Sequence, residues 1–243
     1  MTQLARRSPP VPPVDPPLRD GLRLSRAEFH RRYEAMPDVR AELIGGVVHM
    51  ASPMGRPHGD MCGELYTAVR RYAKATPGVK TGLGATVLLD DRNEPEPDID
   101  LRVLEEFGGR SRVTDDEFLQ GPPELAIEVA DSTARKDLTL KRPEYAGAGI
   151  LEYWVLVIRK KALRAFDLVA DVELPHDPDG VFRSRVFPGL WIDPVAILAE
   201  DSDRVAAVID LGLASPEHAA FVLELEKRRK AKRPAKKSKR TRE

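Results

Sequence analysis

The chain has 243 residues, 42% of them hydrophobic, with 39 Lys+Arg balanced by 39 Asp+Glu, which is enough apolar material for one sizeable core. No run reaches the roughly 18–20 apolar residues of a membrane span and the N-terminus has no apolar secretory segment, so a globular cytoplasmic protein is expected. The single cysteine, Cys62, excludes an intrachain disulfide and a Cys-based zinc site, and reads as a small buried hydrophobe on a helix.

Six prolines between Pro9 and Pro17 predict an extended, disordered leader over residues 1–24. Ser25 is placed to cap a short helix that stops at Pro37, and ELIGGVVHMAS reads as two strands turning at Gly45-Gly46. From His58 to Ala75, Met61, Leu65, Ala68, Val69 and Tyr72 recur at helical spacing, and Pro77-Gly78 closes that helix. KTGLGATVLL, DIDLRVL and ELAIEVA then read as strands. A helix follows from about Ala134 to Gly147, with Pro143 as a kink or restart point.

ILEYWVLVI and ALRAFDLV continue as strands, the first apolar enough to be central, with Tyr153 and Trp154 filling core. GVFRSRVFPGLWIDPVAIL adds another strand and an apolar anchor. A helix from roughly Pro216 to Lys230 runs into KRRKAKRPAKKSKRTRE, where Lys227 to Glu243 carry 11 basic residues against 1 acidic, net +10, leaving −10 on the rest of the neutral chain. Such a block reads as a disordered arm that either contacts nucleic acid or merely solubilises. The element order predicts one α/β or α+β domain around a mixed sheet over residues 25–200, a helical extension over 201–226 and the basic tail over 227–243.

Three carboxylates sit among apolar residues near strand ends: Glu42 opens the hairpin, Asp98 opens PDIDL, and Glu128 interrupts LAIEVA. A charge inside a buried strand is costly unless compensated, and a hard divalent cation between carboxylates is one compensation. Lys141 is the other. It lies four residues after Asp137 on one helix face, a stripe that Tyr145 continues, and an ordinary ion pair with Asp137 or Glu128 would explain it equally. His58, before its helix, could contact phosphate or shuttle a proton, although a lone histidine there is more often a cap or surface residue.

ELIGGVVHMASP, His58, EPDIDL, PPELAIEVADSTARKDLTLKRPEYAGAGILEYWVL and FPGLWIDP together resemble the Uma family of candidate restriction endonucleases, within the PD-(D/E)xK nuclease superfamily. The resemblance spans about Arg40 to Leu198. It implies a restriction-endonuclease-like core, a central mixed β-sheet flanked by helices, with Mg²⁺, or Mn²⁺ in its place, held by Asp98 and Glu128. The usual superfamily lysine would stand two residues after the glutamate, where this chain has Ala130; the family resembled moves it to the following helix, which makes Lys141 the catalytic lysine and Glu42 the upstream acidic residue. The implied activity is metal-dependent hydrolysis of DNA phosphodiesters. A homodimer is expected because two symmetric sites cut two strands most simply, and the charge of the basic tail from Lys227 to Arg242 is expected to add nonspecific DNA contact. Two other readings stay open: a catalytically silent nuclease-fold protein that binds nucleic acid or a protein, and hydrolysis of another phosphate ester.

Overall fold

The computed structural model describes residues 16–131 and 133–232. Expectations placed on the first fifteen residues, on Ser132 and on the basic residues after Lys232 lie outside the described residues. Helix α1 (Arg26–Glu34) begins where its cap predicts, with the Ser25 hydroxyl accepting from the Glu28 amide at 3.3 Å. Strands β1 (Ala41–Ile44) and β2 (Val47–Met50) form the antiparallel hairpin. A two-residue turn of this hand favours positive φ at both central positions, and Gly45 and Gly46 adopt φ of 60° and 78°.

Residues 16–24, expected to belong to the disordered leader, depart from that expectation. The Gly21 amide donates to Val48 O, the Val48 amide to Leu22 O and the Leu24 amide to Gly46 O. Leu18 is buried with Phe29, Leu43 and Val48. The physical reason is that β2 has an open edge and this segment supplies both hydrogen-bonding groups and leucines to cover it.

Helix α2 (Arg56–Ala75) buries Met61, Leu65, Ala68, Val69 and Tyr72, the predicted stripe. Cys62 flanks that stripe and is only partly buried, less than expected. KTGLGATVLL, read as one strand, breaks at Gly84 (φ 54°) into β3 (Val79–Leu83) and the short β4 (Val87–Leu88). Next come β5 (Ile99–Val103), the two-residue strands β6 (Arg112–Val113) and β7 (Leu119–Gln120), and β8 (Leu125–Ala130).

The predicted helix after β8 is composite: α3 (Ala134–Lys136), a π-helical turn over Asp137–Lys141, then α4 (Arg142–Ala148). Pro143 has no N–H to return to the carbonyl of residue 139, and its ring crowds that carbonyl; the widened turn accommodates it. Strands β9 (Glu152–Val157), β10 (Ala162–Asp167) and β11 (Val172–Leu174) follow, then β12 (Phe182–Arg183), β13 (Trp191–Ile192) and the helices α5 (Pro194–Leu198), α6 (Ser202–Leu213) and α7 (Pro216–Lys232). The basic block expected to be disordered from Lys227 is therefore helical as far as Lys232. Arg229 lies 5.1 Å over the Phe107 ring and Lys232 Nζ donates to Glu105 O at 2.8 Å.

Among the described residues the main sheet has the order β11-β10-β9-β8-β5-β3. Only β8 and β9 run parallel, so the sheet is mixed, with β9 interior and fully buried as its composition predicts. One face carries Leu125, Ile127, Val129, Trp154 and Leu156 against α2. The other carries Ala126, Ala130, Tyr153 and Val155 against Tyr145 of α4. Alternation therefore sends Glu128 to the α4 face, beside the π-helical turn. Among the described residues no single helix is long and apolar enough to cross a membrane.

Candidate active site

Glu42, His58, Asp98, Glu128 and Lys141 all line one cleft of about 340 Å³, open between the β1–β2 hairpin, the start of α2 and the end of the sheet where β8 passes into α3. Each arrives from a different element. Glu42 comes from β1, opposite His49 of β2. Asp98 stands one residue before β5, and Glu128 sits in the middle of β8. Lys141 ends the π-helical turn that brings both Asp137 and Lys141 inside.

Lys141 joins the acidic residues. Its Nζ donates to Glu42 Oε1 at 2.7 Å and to Glu128 Oε1 at 2.9 Å, and lies 3.9 Å from Asp137 Oδ1. Tyr145 Oη donates to the same Glu128 oxygen at 2.9 Å. The ordinary ion pairs that the sequence allowed, Lys141 with Glu128 and with Asp137, are thus both present. Burial opposes the charge on Lys141, but Glu128, Glu42 and Asp137 hold its pKa well above the usual lysine value, so it stays an ammonium.

The carboxylates are unequal. Burial pushes Glu42 up, yet Lys141 and Lys136 together with the Glu96 amide hold it down at about 2; Lys136 Nζ donates to Glu42 Oε2 at 3.0 Å and the Glu96 amide to Oε1 at 3.0 Å. Burial pushes Glu128 well above the ordinary carboxylate range; Lys141 offsets this, while Asp98, Asp137 and Glu42 add to it. Asp98 is held in place by the Val129 amide, which donates to Oδ2 at 2.7 Å, and by His58 Nε2, 3.2 Å from Oδ1. That hydrogen bond raises the His58 pKa above its usual value against the opposing effect of burial.

The donor set fits a hard cation. Mg²⁺ or Mn²⁺ prefers oxygen ligands, and Mg²⁺ is commonly held by one or two carboxylates, with water and substrate phosphate filling the other positions. Glu128 Oε1 is occupied by Lys141 and Tyr145, and Glu128 and Asp98 line the same cleft. The negative charge that Asp98, Asp137 and Glu42 place around Glu128 is what a bound cation would neutralise. Among the described residues no three of His, Cys, Asp or Glu form a ready-made metal cluster; Asp98 and Glu128, which line the same cleft, are the two carboxylates that could hold such an ion.

Sequence reasoning missed several charged or titratable residues of the cleft, among them Lys136, Glu96 and His49. Lys136 shares Glu42 with Lys141. Glu96 accepts from Tyr33 Oη at 2.5 Å and from Arg40 Nη2 at 3.1 Å. His49 has a buried Nε2 without a hydrogen-bond partner, and burial together with Lys136 holds its pKa below the usual histidine value. EPEPD gave a signal for Glu96, a second acid two residues before Asp98. Lys136 and His49 carried none, because each reaches the cleft only through the π-helical turn or the hairpin register.

The comparison with curated proteins finds no match. Among solved structures, one described as a putative nuclease belonging to DUF820, from Anabaena variabilis ATCC 29413, is similar at a TM-score of 0.54 and 13% identity, covering 69% of this chain and 97% of its own. That likeness establishes a shared fold, a mixed sheet flanked by helices. A family model described as "Uma2: Putative restriction endonuclease" matches residues 26–196, the hairpin, the sheet and every residue of the cleft named from Glu42 to Lys141, and the chain therefore belongs to the Uma2 family.

Proposed function

We propose that this protein is a Mg²⁺-dependent endonuclease that hydrolyses DNA phosphodiester bonds in the cleft between Glu42, Asp98, Glu128 and Lys141. The observation that carries the reading is the bridge made by Lys141 Nζ between Glu42 Oε1 and Glu128 Oε1, with Asp98 across the cleft. Membership of the Uma2 family supports it.

Asp98 and Glu128 would hold the metal, which supplies a more acidic water and neutralises charge on the phosphate when bound. The chain's own residues do the rest. Val129 N–H and His58 fix the orientation of Asp98, and Tyr145 with Lys141 fixes that of Glu128. Lys141, kept charged by the carboxylates around it, orients the attacking water and offsets the negative charge that develops at phosphorus. Glu42 anchors Lys141 in that position. His58 would pass a proton toward the cleft through Nε2, the atom that meets Asp98. A homodimer with two such sites would cut both strands, and the basic residues from Lys227 to Arg242 would offset the acidic body on approach to DNA.

The second reading is a nuclease-fold protein that binds nucleic acid or a protein without cutting. It is favoured by Lys141, whose bonds to Glu42 and Glu128 already compensate these carboxylates without a metal. One assay separates the two: purified wild type and Glu128→Ala, with Mg²⁺ or Mn²⁺, on supercoiled and linear DNA, following cleavage and metal binding together. Metal-dependent cutting that disappears in a folded Glu128→Ala protein is the expected result. Absence of both cutting and metal binding in the wild type would leave Glu128 as the structural partner of Lys141 and bring the binding reading forward.

A further inference from the structure

Two lysines, Lys136 and Lys141, share Glu42, and the two are unequal. The Lys141 side chain is 4% exposed, and it is the cation bonded to Glu128, which is itself buried. Withdrawing it would strand a buried carboxylate. The Lys136 side chain is 28% exposed and bonds Glu42 through the other oxygen, Oε2. If Lys136 lets go, Glu42 keeps Lys141 at 2.7 Å and the Glu96 amide at 3.0 Å, so its charge stays compensated. Arg40, the other cation at the mouth, is the cation paired with Glu96; its departure would leave Glu96 with only the neutral donors Tyr33 and Thr86.

We propose that Lys136 is the phosphate-binding cation of the cleft: it exchanges Glu42 Oε2 for a nonbridging oxygen of an incoming phosphate or phosphodiester, while Lys141 remains on Glu42 and Glu128. The assignment to a phosphodiester rests on the nuclease reading; the anion site itself does not. The exchange is electrostatically even, one carboxylate oxygen for one phosphate oxygen, and among the described residues it breaks only the Lys136–Glu42 bond. It also gives an otherwise acidic cleft a cation that can meet an anion at its entrance without dismantling the buried pair beneath.

The test uses the full chain as wild type, Lys136→Gln and Lys136→Arg. Inorganic phosphate is the first probe, read as its stabilising effect in thermal unfolding; a short DNA duplex in Ca²⁺, titrated at several salt concentrations, is the second. All three proteins should unfold at nearly the same temperature without ligand. In the wild type, phosphate at about ten times its Kd should raise Tm by about 3–5 °C. In Lys136→Gln that rise should vanish, duplex binding should weaken about tenfold and the salt slope should fall by about one contact, with Lys136→Arg restoring both. No phosphate effect in the wild type, or an equal effect in Lys136→Gln, overturns the proposal. Loss of the phosphate effect in Lys136→Gln alongside a wild type that neither binds nor cuts DNA would keep the anion site and remove the nuclease reading. Cutting by the wild type with unchanged binding in Lys136→Gln would do the reverse.

Discussion

Lys141 and Glu128, 13 residues apart in the chain, meet at 2.9 Å where both side chains are almost fully buried. The pair couples the π-helical turn to β8, and its removal from one side only is the expensive change. Lys141→Met should destabilise the fold by about 3–5 kcal/mol, because Glu128 and Glu42 lose their shared cation in a desolvated place. The double variant Glu128→Leu/Lys141→Met should recover most of that loss, since the stranded charge at Glu128 goes with its partner. Urea denaturation of the two single variants and the double checks this; a double variant no more stable than Lys141→Met would show that the pair is not the source of the cost.

Tyr145 donates its hydroxyl to the oxygen of Glu128 that also takes Lys141, and it is itself fully buried. Tyr145→Phe keeps the ring against Tyr153 and deletes one donor from a buried carboxylate. A loss of about 1–2 kcal/mol is expected, and equilibrium unfolding measures it. Stability equal to the wild type would mean that Lys141 alone satisfies Glu128.

Gly82 of β3 lies against Asp100 of β5, so close that an added Cβ would stand 2.1 Å from Asp100 Oδ1. Asp100 is 2% exposed and has little room to retreat. Gly82→Ala should therefore cost about 1–3 kcal/mol through overpacking, although alanine suits a strand better than glycine. Thermal unfolding of the variant would decide it, and an unchanged or raised Tm would count against the packing argument.

Glu152 predicts a pH effect away from the cleft. Burial raises its pKa above the ordinary glutamate value, against the lowering effect of donors from Trp154 Nε1, the Val186 and Arg185 amides and the Ser184 hydroxyl. A carboxyl raised in the folded state binds its proton more tightly there than in the unfolded chain. Its contribution to stability is fully present below about 4.5 and is lost as pH rises through the raised value. Glu152→Gln removes that titration and turns an amide N–H₂ toward donors. The variant should be less stable throughout, with the penalty larger near pH 4.5 than at pH 7; urea unfolding at the two values tests the sign.

Truncation after Lys232 keeps α7 and its contacts with Glu105 and Phe107 while deleting the last 11 residues, six of them basic. Folding stability should be unchanged. Duplex DNA binding should weaken and its dependence on salt should flatten, because fewer counterions are released. An unchanged salt slope would assign the remaining affinity to the body of the protein.

Much of this fold could be read along the chain because the signals were local. Ser25 caps α1, the Gly45-Gly46 pair turns the hairpin, and the helical stripe from Met61 to Tyr72 buries one face of α2. Glu42, Asp98 and Glu128 stood out as charges among apolar neighbours and Lys141 by its spacing from Asp137, while their roles came from the order of motifs that the family resemblance rests on. Other features depend on partners distant in sequence. Nothing local says that residues 18–24 cover the open edge of β2, or that KTGLGATVLL breaks at Gly84. Glu152 carried no signal of its own within ILEYWVLVI, yet it is the acceptor for the turn at Ser184–Val186.

The amino-acid sequence by itself determined the class of the fold, the buried stripe of α2 and the buried character of β8, since periodicity and turn chemistry are properties of neighbouring residues. Only the tertiary structure decided how the charges of the cleft are shared. Pro143 and the π-helical turn set the direction of Lys141, and the register of β1 with β2 sets that of Glu42. Their meeting places Lys136 on the outer oxygen of Glu42, because electrostatic compensation depends on distances of about 3 Å between atoms that the chain separates by 94 and 99 residues.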